Sequence, residues 1–258
     1  MTPCLLALDV DGTLADSSGR IRPRTRRAVS AARERGVVVV VATGRPWMVA
    51  ERTVADIGSA HYAICSNGSM SLELDAAGPR VIRNVFLPDD LVPGTVSRLR
   101  DSLPGVRFAL EFELGAKSEP GWKERLPPGV PLGRYVDDIL TLIPERGPVR
   151  KLVVFHDDYD DRINALRAAV AGAVDDGIQV AVAGLPFVEV GLPGINKAVA
   201  LAEICDRLGL VADDVVAFGD EANDAEMREG AGWGGARGNA SAAARAAADE
   251  VALSNDED

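Results

Sequence analysis

Two aspartates stand one residue apart in the run Asp9-Val10-Asp11-Gly12-Thr13-Leu14. Further along come Thr43-Gly44-Arg45 and Gly219-Asp220-Glu221-Ala222-Asn223-Asp224, and Lys197 follows the turn-forming Gly191-Leu192-Pro193-Gly194. Carboxylates are hard oxygen donors suited to Mg2+, which prefers octahedral oxygen ligands. They are also oxygen nucleophiles. Phosphoryl transfer asks for both properties: a nucleophile in line with the leaving group, and positive charge on the phosphoryl oxygens. On this reading Asp9 and Asp220 offer metal ligands. Asp11 offers its backbone carbonyl, with its side chain left for proton transfer. Gly12 removes side-chain bulk so that backbone N–H groups can approach phosphate oxygens. Thr43 brings a hydroxyl and a backbone donor, and Lys197 a cation that neutralises phosphate and the Asp9 carboxylate. Taken singly each segment is an ordinary turn or strand exit, since Asp-Gly and Asn-Asp favour turns. Their joint placement is what points to chemistry.

That placement depends on the elements before each segment. Leu5 to Leu8 reads as a buried strand ending at Asp9, and the five valines Val37 to Val41 as a strand covered on both faces, ending before Thr43. Val215 to Phe218 is a strand ending at Gly219-Asp220. Between them, Pro23 to Arg35 and Met48 to Ile57 read as helices, the first with proline near its start and Gly36 as its stop. Tyr62 to Cys65 is a further short strand. Lys197 to Leu208 is an amphipathic helix with Leu201, Ile204, Cys205 and Leu208 on one face, and Ala240 to Ala248 a short helix before an acidic tail. Strand, helix, strand implies parallel pairing through crossovers. In such sheets ligands bind outside the carboxyl ends of the strands, so three distant segments can share one crevice. The expected fold is α/β: a Rossmann-like parallel-sheet core of residues 1–82 and 186–258. Residues 83–185, rich in Pro and Gly, read as an inserted α+β domain. Its strands are expected at Val106 to Glu113, Leu152 to His156 and Ile178 to Val182, and its helices at Asp89 to Leu103 and Asp161 to Val174.

Bulk properties narrow the function. The 258 residues carry 28 basic and 39 acidic side chains, a net charge of −11. Such a surface repels a polyphosphate backbone within a Debye length of about 8 Å, which argues against nucleic-acid binding. A small anionic substrate then needs a metal ion or local cations. Cys4, Cys65 and Cys205 are far apart, with no CxxC pair, as expected of reduced thiols in a cytoplasmic protein. No leader pattern is present at the N-terminus, and no apolar run approaches the roughly 20 residues of a membrane helix.

The motifs resemble those of the haloacid dehalogenase superfamily of phosphatases. Asp9 to Leu14 is similar to its first motif, Thr43-Gly44-Arg45 to the second, Lys197 to the third, and Gly219-Asp220 with Asn223-Asp224 to the fourth. The likeness is strongest to the Cof-type, sugar-phosphatase-like branch, which carries a large C2-type cap between the second and third motifs. Ser66-Asn67-Gly68, Gly238-Asn239-Ala240 and Ser254-Asn255-Asp256-Glu257-Asp258 add to it. The resemblance implies a phosphomonoesterase acting on a small phosphorylated metabolite through an aspartyl-phosphate on Asp9. Asp11 then protonates the leaving group and activates water. Gly12, Thr43, Gly44, Arg45, Lys197 and Asn223 surround the phosphate. Mg2+ is held by Asp9, Asp11 and Asp220, with Asp224 orienting the metal shell. A phosphomutase of the same superfamily and a non-enzymatic phosphate- or metal-binding protein on the same fold are the alternatives. Ala198, where glycine is usual, and Trp233 and Arg237 depart from the pattern; Arg237 is either an extra phosphate contact or exposed. His61, Glu111, Trp122, Arg134, Lys151 and His156 are polar or aromatic residues that could face a substrate, although surface or packing roles explain them more simply.

Overall fold

A computed structural model describes residues 3–113, 115–126, 135–175, 177–182 and 185–257. The chain divides into two compact units, Met1–Asn84 with Ile195–Asp258, and Val85–Gly194. The first unit begins with β1 (Leu5–Asp9), α1 (Pro23–Glu34), β2 (Val38–Ala42), α2 (Trp47–Ile57), β3 (Tyr62–Cys65), β4 (Met70–Asp75) and β5 (Gly78–Asn84). The second holds α3 (Leu91–Ser102), β6 (Arg107–Phe112), β7 (Gly115–Ser118), α4 (Ile143–Arg146), β8 (Val149–Phe155), α5 (Ile163–Ala173), β9 (Gln179–Val182) and β10 (Val188–Gly191). The chain returns to the first with α6 (Lys197–Leu208), β11 (Val215–Gly219), α7 (Ala225–Glu229), β12 (Trp233–Ala236), α8 (Ala242–Ala246) and β13 (Glu250–Val251).

The core sheet has the order β13-β12-β11-β1-β2-β3-β4-β5. From β13 to β3 every pairing is parallel, with Leu8 opposite both Val41 and Phe218. The valine run is apolar in both directions because both faces are covered. Val39 and Val41 pack with Val29 of α1 and Ala50, Val54 and Ile57 of α2. Val40 packs with Ala200, Leu201 and Ile204 of α6 and Met227 of α7. Fully burying one such side chain stabilises the fold by roughly 1.5–3 kcal/mol. From β1 the chain builds outward through β2 and β3 on one side, and on its return through β11, β12 and β13 on the other. The order therefore reverses between β1 and β11, and in open sheets of this kind ligands bind at the carboxyl ends of such a pair.

The second unit is α+β. Its antiparallel sheet runs β7-β6-β8-β10-β9. One face, with Phe108, Leu110, Leu152 and Val154, packs on Val96 and Leu99 of α3 and Leu166 and Val170 of α5. The expected return to the core at residue 186 comes too early. Val188 pairs with Val154 of β8 and Val182 of β9, so β10 belongs to the second sheet. The hairpin β4–β5 was not expected; it extends the core sheet with antiparallel strands from β3. Nor is 254–257 a free tail. It folds into a turn in which buried Asn255 donates from Nδ2 to the Ala15 carbonyl at 2.9 Å. Among the described residues no helix is long and apolar enough to cross a membrane.

Candidate active site

Asp9 is the last residue of β1 and is buried. Its Oδ1 accepts from Lys197 Nζ at 2.6 Å, and the same ammonium donates to Asp224 Oδ1 at 2.6 Å. Lys197 reaches this point because α6 starts at that residue. Asn196, the preceding residue, caps the helix by accepting from the Val199 N–H at 2.8 Å. A lysine in a first turn opposes the helix dipole, and two carboxylates offset that cost. Burial works against the Lys197 charge, but Asp9 and Asp224 outweigh it and hold its pKa above the ordinary lysine range. Asp224 is anchored further: its Oδ2 accepts from the backbone N–H groups of Asp220 and Glu221, each at 3.2 Å.

Asp220 follows β11 directly, across the switch point from Asp9. Carboxylate oxygens of Asp9, Asp220 and Asp224 lie within 4.8 Å of one another. Burial, and then the charge of Asp224, push the Asp9 carboxyl well above the usual range, with Lys197 pulling the other way. Asp220 is pushed up to about 6 by burial first and then by Asp224 and Glu221. The second oxygen of Asp9, Oδ2, is buried without a hydrogen-bond partner. Three crowded carboxylates, one ammonium and an orphaned buried oxygen fit a divalent cation with oxygen ligands.

The surrounding turns pack closely on the cluster. Gly12 has φ +80°, and a Cβ there would stand 2.6 Å from the Asp220 carboxyl carbon. The Gly12 carbonyl accepts from Asn239 Nδ2 at 2.8 Å, and Thr13 Oγ1 donates to Asp220 Oδ1 at 3.3 Å. Neither Thr13 nor Asn239 was assigned a role from sequence, although both lie inside the recognised runs. Thr43 is buried and accepts from the Arg45 N–H at 3.1 Å. Gly44 lies against Asn67, whose Oδ1 accepts from Asn223 Nδ2 at 3.2 Å.

Asp9, Asp220, Asp224 and Lys197 thus meet in one cluster, with Thr43, Gly44 and Asn223 in the loops around it. Asp11, Arg45 and Arg237 have partners that the sequence did not point to. The Asp11 carboxylate is exposed and lies in the fork of Arg45, which donates from Nε to Oδ2 at 2.9 Å and from Nη2 to Oδ1. Arg45 also donates to Thr53 Oγ1 at 3.2 Å, so its guanidinium bridges the acid/base candidate and α2. Arg237 is half-buried and donates from Nη2 to the Ser254 carbonyl at 3.0 Å. Of the further polar residues, His61 accepts from the Val39 N–H, and His156 bonds the Pro104 carbonyl and the Asp158 N–H. Trp122 packs on Phe155 and Phe187, Lys151 pairs with Glu189 at 2.8 Å, and Glu111 with Arg150 at 3.4 Å. Arg134 lies outside the described residues.

Strand-end carboxylates and a buried lysine at the switch point of a doubly wound sheet define a class of hydrolase. The sequence matches the haloacid dehalogenase-like hydrolase family over residues 6–258 and belongs to it, in the Cof-type branch. Its relatives include the Bacillus subtilis 5-amino-6-(5-phospho-D-ribitylamino)uracil phosphatase YcsE, 27% identical over 98% of this chain and 91% of that protein. The Escherichia coli pyridoxal phosphate phosphatase YbhA is 28% identical over 100% of this chain and 96% of its own. Among solved structures, a haloacid dehalogenase-like hydrolase from Bacteroides thetaiotaomicron superposes with a TM-score of 0.82. It is 26% identical, over 98% of this chain and 95% of that one.

Proposed function

We propose that this chain is a Mg2+-dependent hydrolase of phosphoric monoesters that works through an aspartyl-phosphate on Asp9. The enzyme class follows the family and the phosphatase names that several of its relatives carry. The observation that carries the mechanism is the Asp9 carboxylate itself. One oxygen is held by Lys197, the other is buried with no hydrogen-bond partner among the described residues, and carboxylate oxygens of Asp220 and Asp224 lie within 4.8 Å of the group. Held in this way, Asp9 has one orientation, which suits in-line attack. Asp9 and Asp220 are the ligands we assign to the cation. Asp11 contributes its backbone carbonyl, and Asp224, with its oxygens committed to Lys197 and two N–H groups, keeps the lysine and the loop in place. Mg2+ bound there supplies positive charge to the carboxylate cluster and the phosphoryl oxygens.

In the first step an Asp9 oxygen bonds to phosphorus as the ester P–O bond breaks, and Asp11 gives its proton to the leaving oxygen. In the second step Asp11 takes a proton from water, the water oxygen bonds to phosphorus, and the acyl-phosphate bond breaks to free Asp9. Lys197, Thr43 and the N–H groups near Gly12 receive the phosphoryl oxygens. Asp11 is held by Arg45 beforehand, so the fork must release it for proton transfer. All these groups address phosphate, nucleophile or metal. We therefore assign the choice among phosphorylated metabolites, such as sugar phosphates, to residues 85–194. Three free cysteines accord with a cytoplasmic setting. The test is phosphate release from a panel of phosphorylated metabolites with Mg2+. Release should stop with excess EDTA and with Asp9→Asn, whose amide is a poor nucleophile. Hydrolysis at the wild-type rate in either case would contradict the proposal.

A further inference from the structure

The turn Ser66–Gly68 follows β3, and none of its residues has a part in the mechanism above. Its backbone is unusual. Ser66 has φ 50°, and Asn67 has φ 52° and ψ 35°, two consecutive non-glycine residues in the left-handed region. L-residues enter this region at a cost, asparagine more easily than most, and such residues persist where their surroundings hold them.

What holds them is the site. The Ser66 N–H donates to the Arg45 carbonyl at 3.0 Å, and the Asn67 N–H to the Thr43 carbonyl at 3.2 Å. The Asn67 side chain then turns to the loop after β11 and accepts from Asn223 Nδ2 at 3.2 Å. The same oxygen would stand 2.9 Å from a Cβ at residue 44, so Gly44 lets it close in. On the other side, Gly68 has φ +97°, and a Cβ there would stand 2.6 Å from the Asn196 carbonyl carbon, one residue before Lys197. Arg83 Nε secures the turn from β5 by donating to the Gly68 carbonyl at 2.7 Å. Three residues thus touch the loop of Thr43, the loop of Asn223 and the start of the helix that carries Lys197.

We infer that Asn67 is a positioning residue for the phosphate site, acting through Asn223. This rests on the phosphate-binding role proposed above for Thr43 and on the place beside the phosphate that the family resemblance implies for Asn223. The Asn67 oxygen accepts one hydrogen of the Asn223 amide and so fixes the plane of that amide. Glycine at 67 would satisfy the backbone with less strain and would lack this oxygen. Side-chain function and backbone requirement can therefore be separated by one substitution.

The experiment uses the full chain with Asn67→Gly, Asn223→Ala and the double variant. It follows p-nitrophenyl phosphate hydrolysis with Mg2+, inhibition by inorganic phosphate, and thermal melting with and without phosphate. Asn67→Gly should melt at or above the wild-type temperature, because glycine relieves the left-handed backbone. Its kcat/KM should nevertheless fall about 10-fold, the scale of one lost hydrogen bond. Phosphate should inhibit it less and raise its melting temperature less. The double variant should be no slower than Asn223→Ala alone, since both remove one interaction. Wild-type turnover in the same assay reports separately on the proposed function, and the phosphate-induced shift reads the Asn67 contact without turnover. Unchanged kcat/KM and phosphate response in Asn67→Gly would overturn the inference. So would losses that multiply in the double variant, or a loss of activity that merely tracks a lower melting temperature.

Discussion

In the insertion, Arg125 lies 2.8 Å from Asp157 and 2.7 Å from Asp160, and Arg100 lies 2.7 Å from Glu119 and 2.9 Å from Asp138. Lys197 in the core also serves two acids, Asp9 and Asp224, but there Asp220 crowds the same space. The carboxyl groups respond in opposite directions. Hydrogen bonds from Arg125 and Arg100 hold Asp157 and Asp138 below the usual carboxylate range. Burial, followed by neighbouring negative charge, holds Asp9 and Asp220 above it. Arg125 and Arg107 also lie over the Phe155 ring, at 4.9 and 5.4 Å from its centroid, so the insertion's charges are part of its packing. Charge in the insertion is compensated by the protein. Charge at the ends of β1 and β11 leaves work for a ligand, and that separates a structural network from a site.

The sharpest way to break this contrast is to remove the proton carrier while sparing the cluster. Asp11→Asn should slow turnover by roughly 10²–10⁴-fold, the range of general acid–base catalysis. Mg2+ should still raise its melting temperature, because the Asp11 side chain lies in the Arg45 fork. Turnover within a few-fold of wild type would remove Asp11 from its role.

Next in size is the linkage of metal and pH. The folded protein keeps a proton on Asp220 up to about pH 6, whereas an unfolded chain releases it near ~3.9. A raised carboxyl pKa contributes stability below the unfolded value, and that contribution is lost as pH rises through the folded one. Metal-free protein should lose this increment between about pH 4 and about pH 6, and Mg2+ should restore it by binding the ionised form. The Mg2+-induced rise in melting temperature should therefore be larger at about pH 7.5 than at about pH 5. A rise independent of pH would contradict the placement of the cation beside Asp220. The insertion has the opposite sign. The depressed Asp138 and Asp157 contribute above the unfolded carboxylate range, and their contribution fades as pH falls through their folded values.

The smallest effect is expected within the insertion. Arg125→Met removes two ion pairs to exposed acids, a hydrogen bond to the Gly121 carbonyl and one cation–π contact. The cost should be about 1–2 kcal/mol in unfolding free energy, with Mg2+-dependent p-nitrophenyl phosphate turnover unchanged. A large loss of turnover, with stability kept, would show that this network serves catalysis.

Much of the site is legible in the sequence because its residues follow strands with strong patterns. The valine run before Thr43, the apolar strands before Asp9 and Asp220, and the helix starting at Lys197 place each group at a strand end or helix start. What stays hidden is side-chain pairing across long separations. No local pattern says that Arg45 grips Asp11, that Asn67 meets Asn223, or that Asn255 ties down Ala15. The hairpin Met70–Asn84 had a signal in its alternating Leu72, Leu74 and Val81, but its turn at Asp75–Gly78 is short. β10 sits between two prolines, Pro186 and Pro193, in a stretch that the sequence assigns to the returning core; its two neighbours make it a strand of the second sheet.

The central claim is that Asp9 carries the phosphoryl group, and its most direct test is to catch it there. In Asp11→Asn the loss of the water-activating base should slow breakdown of the acyl phosphate. Acid quenching during turnover of p-nitrophenyl phosphate with Mg2+, followed by peptide mass analysis, should find a phosphoryl group on the peptide that bears Asp9. It should be absent when Asp9→Asn is added. Turnover with no phosphorylated peptide at any quench time, or a phosphoryl group on a peptide elsewhere in the chain, would contradict the assignment.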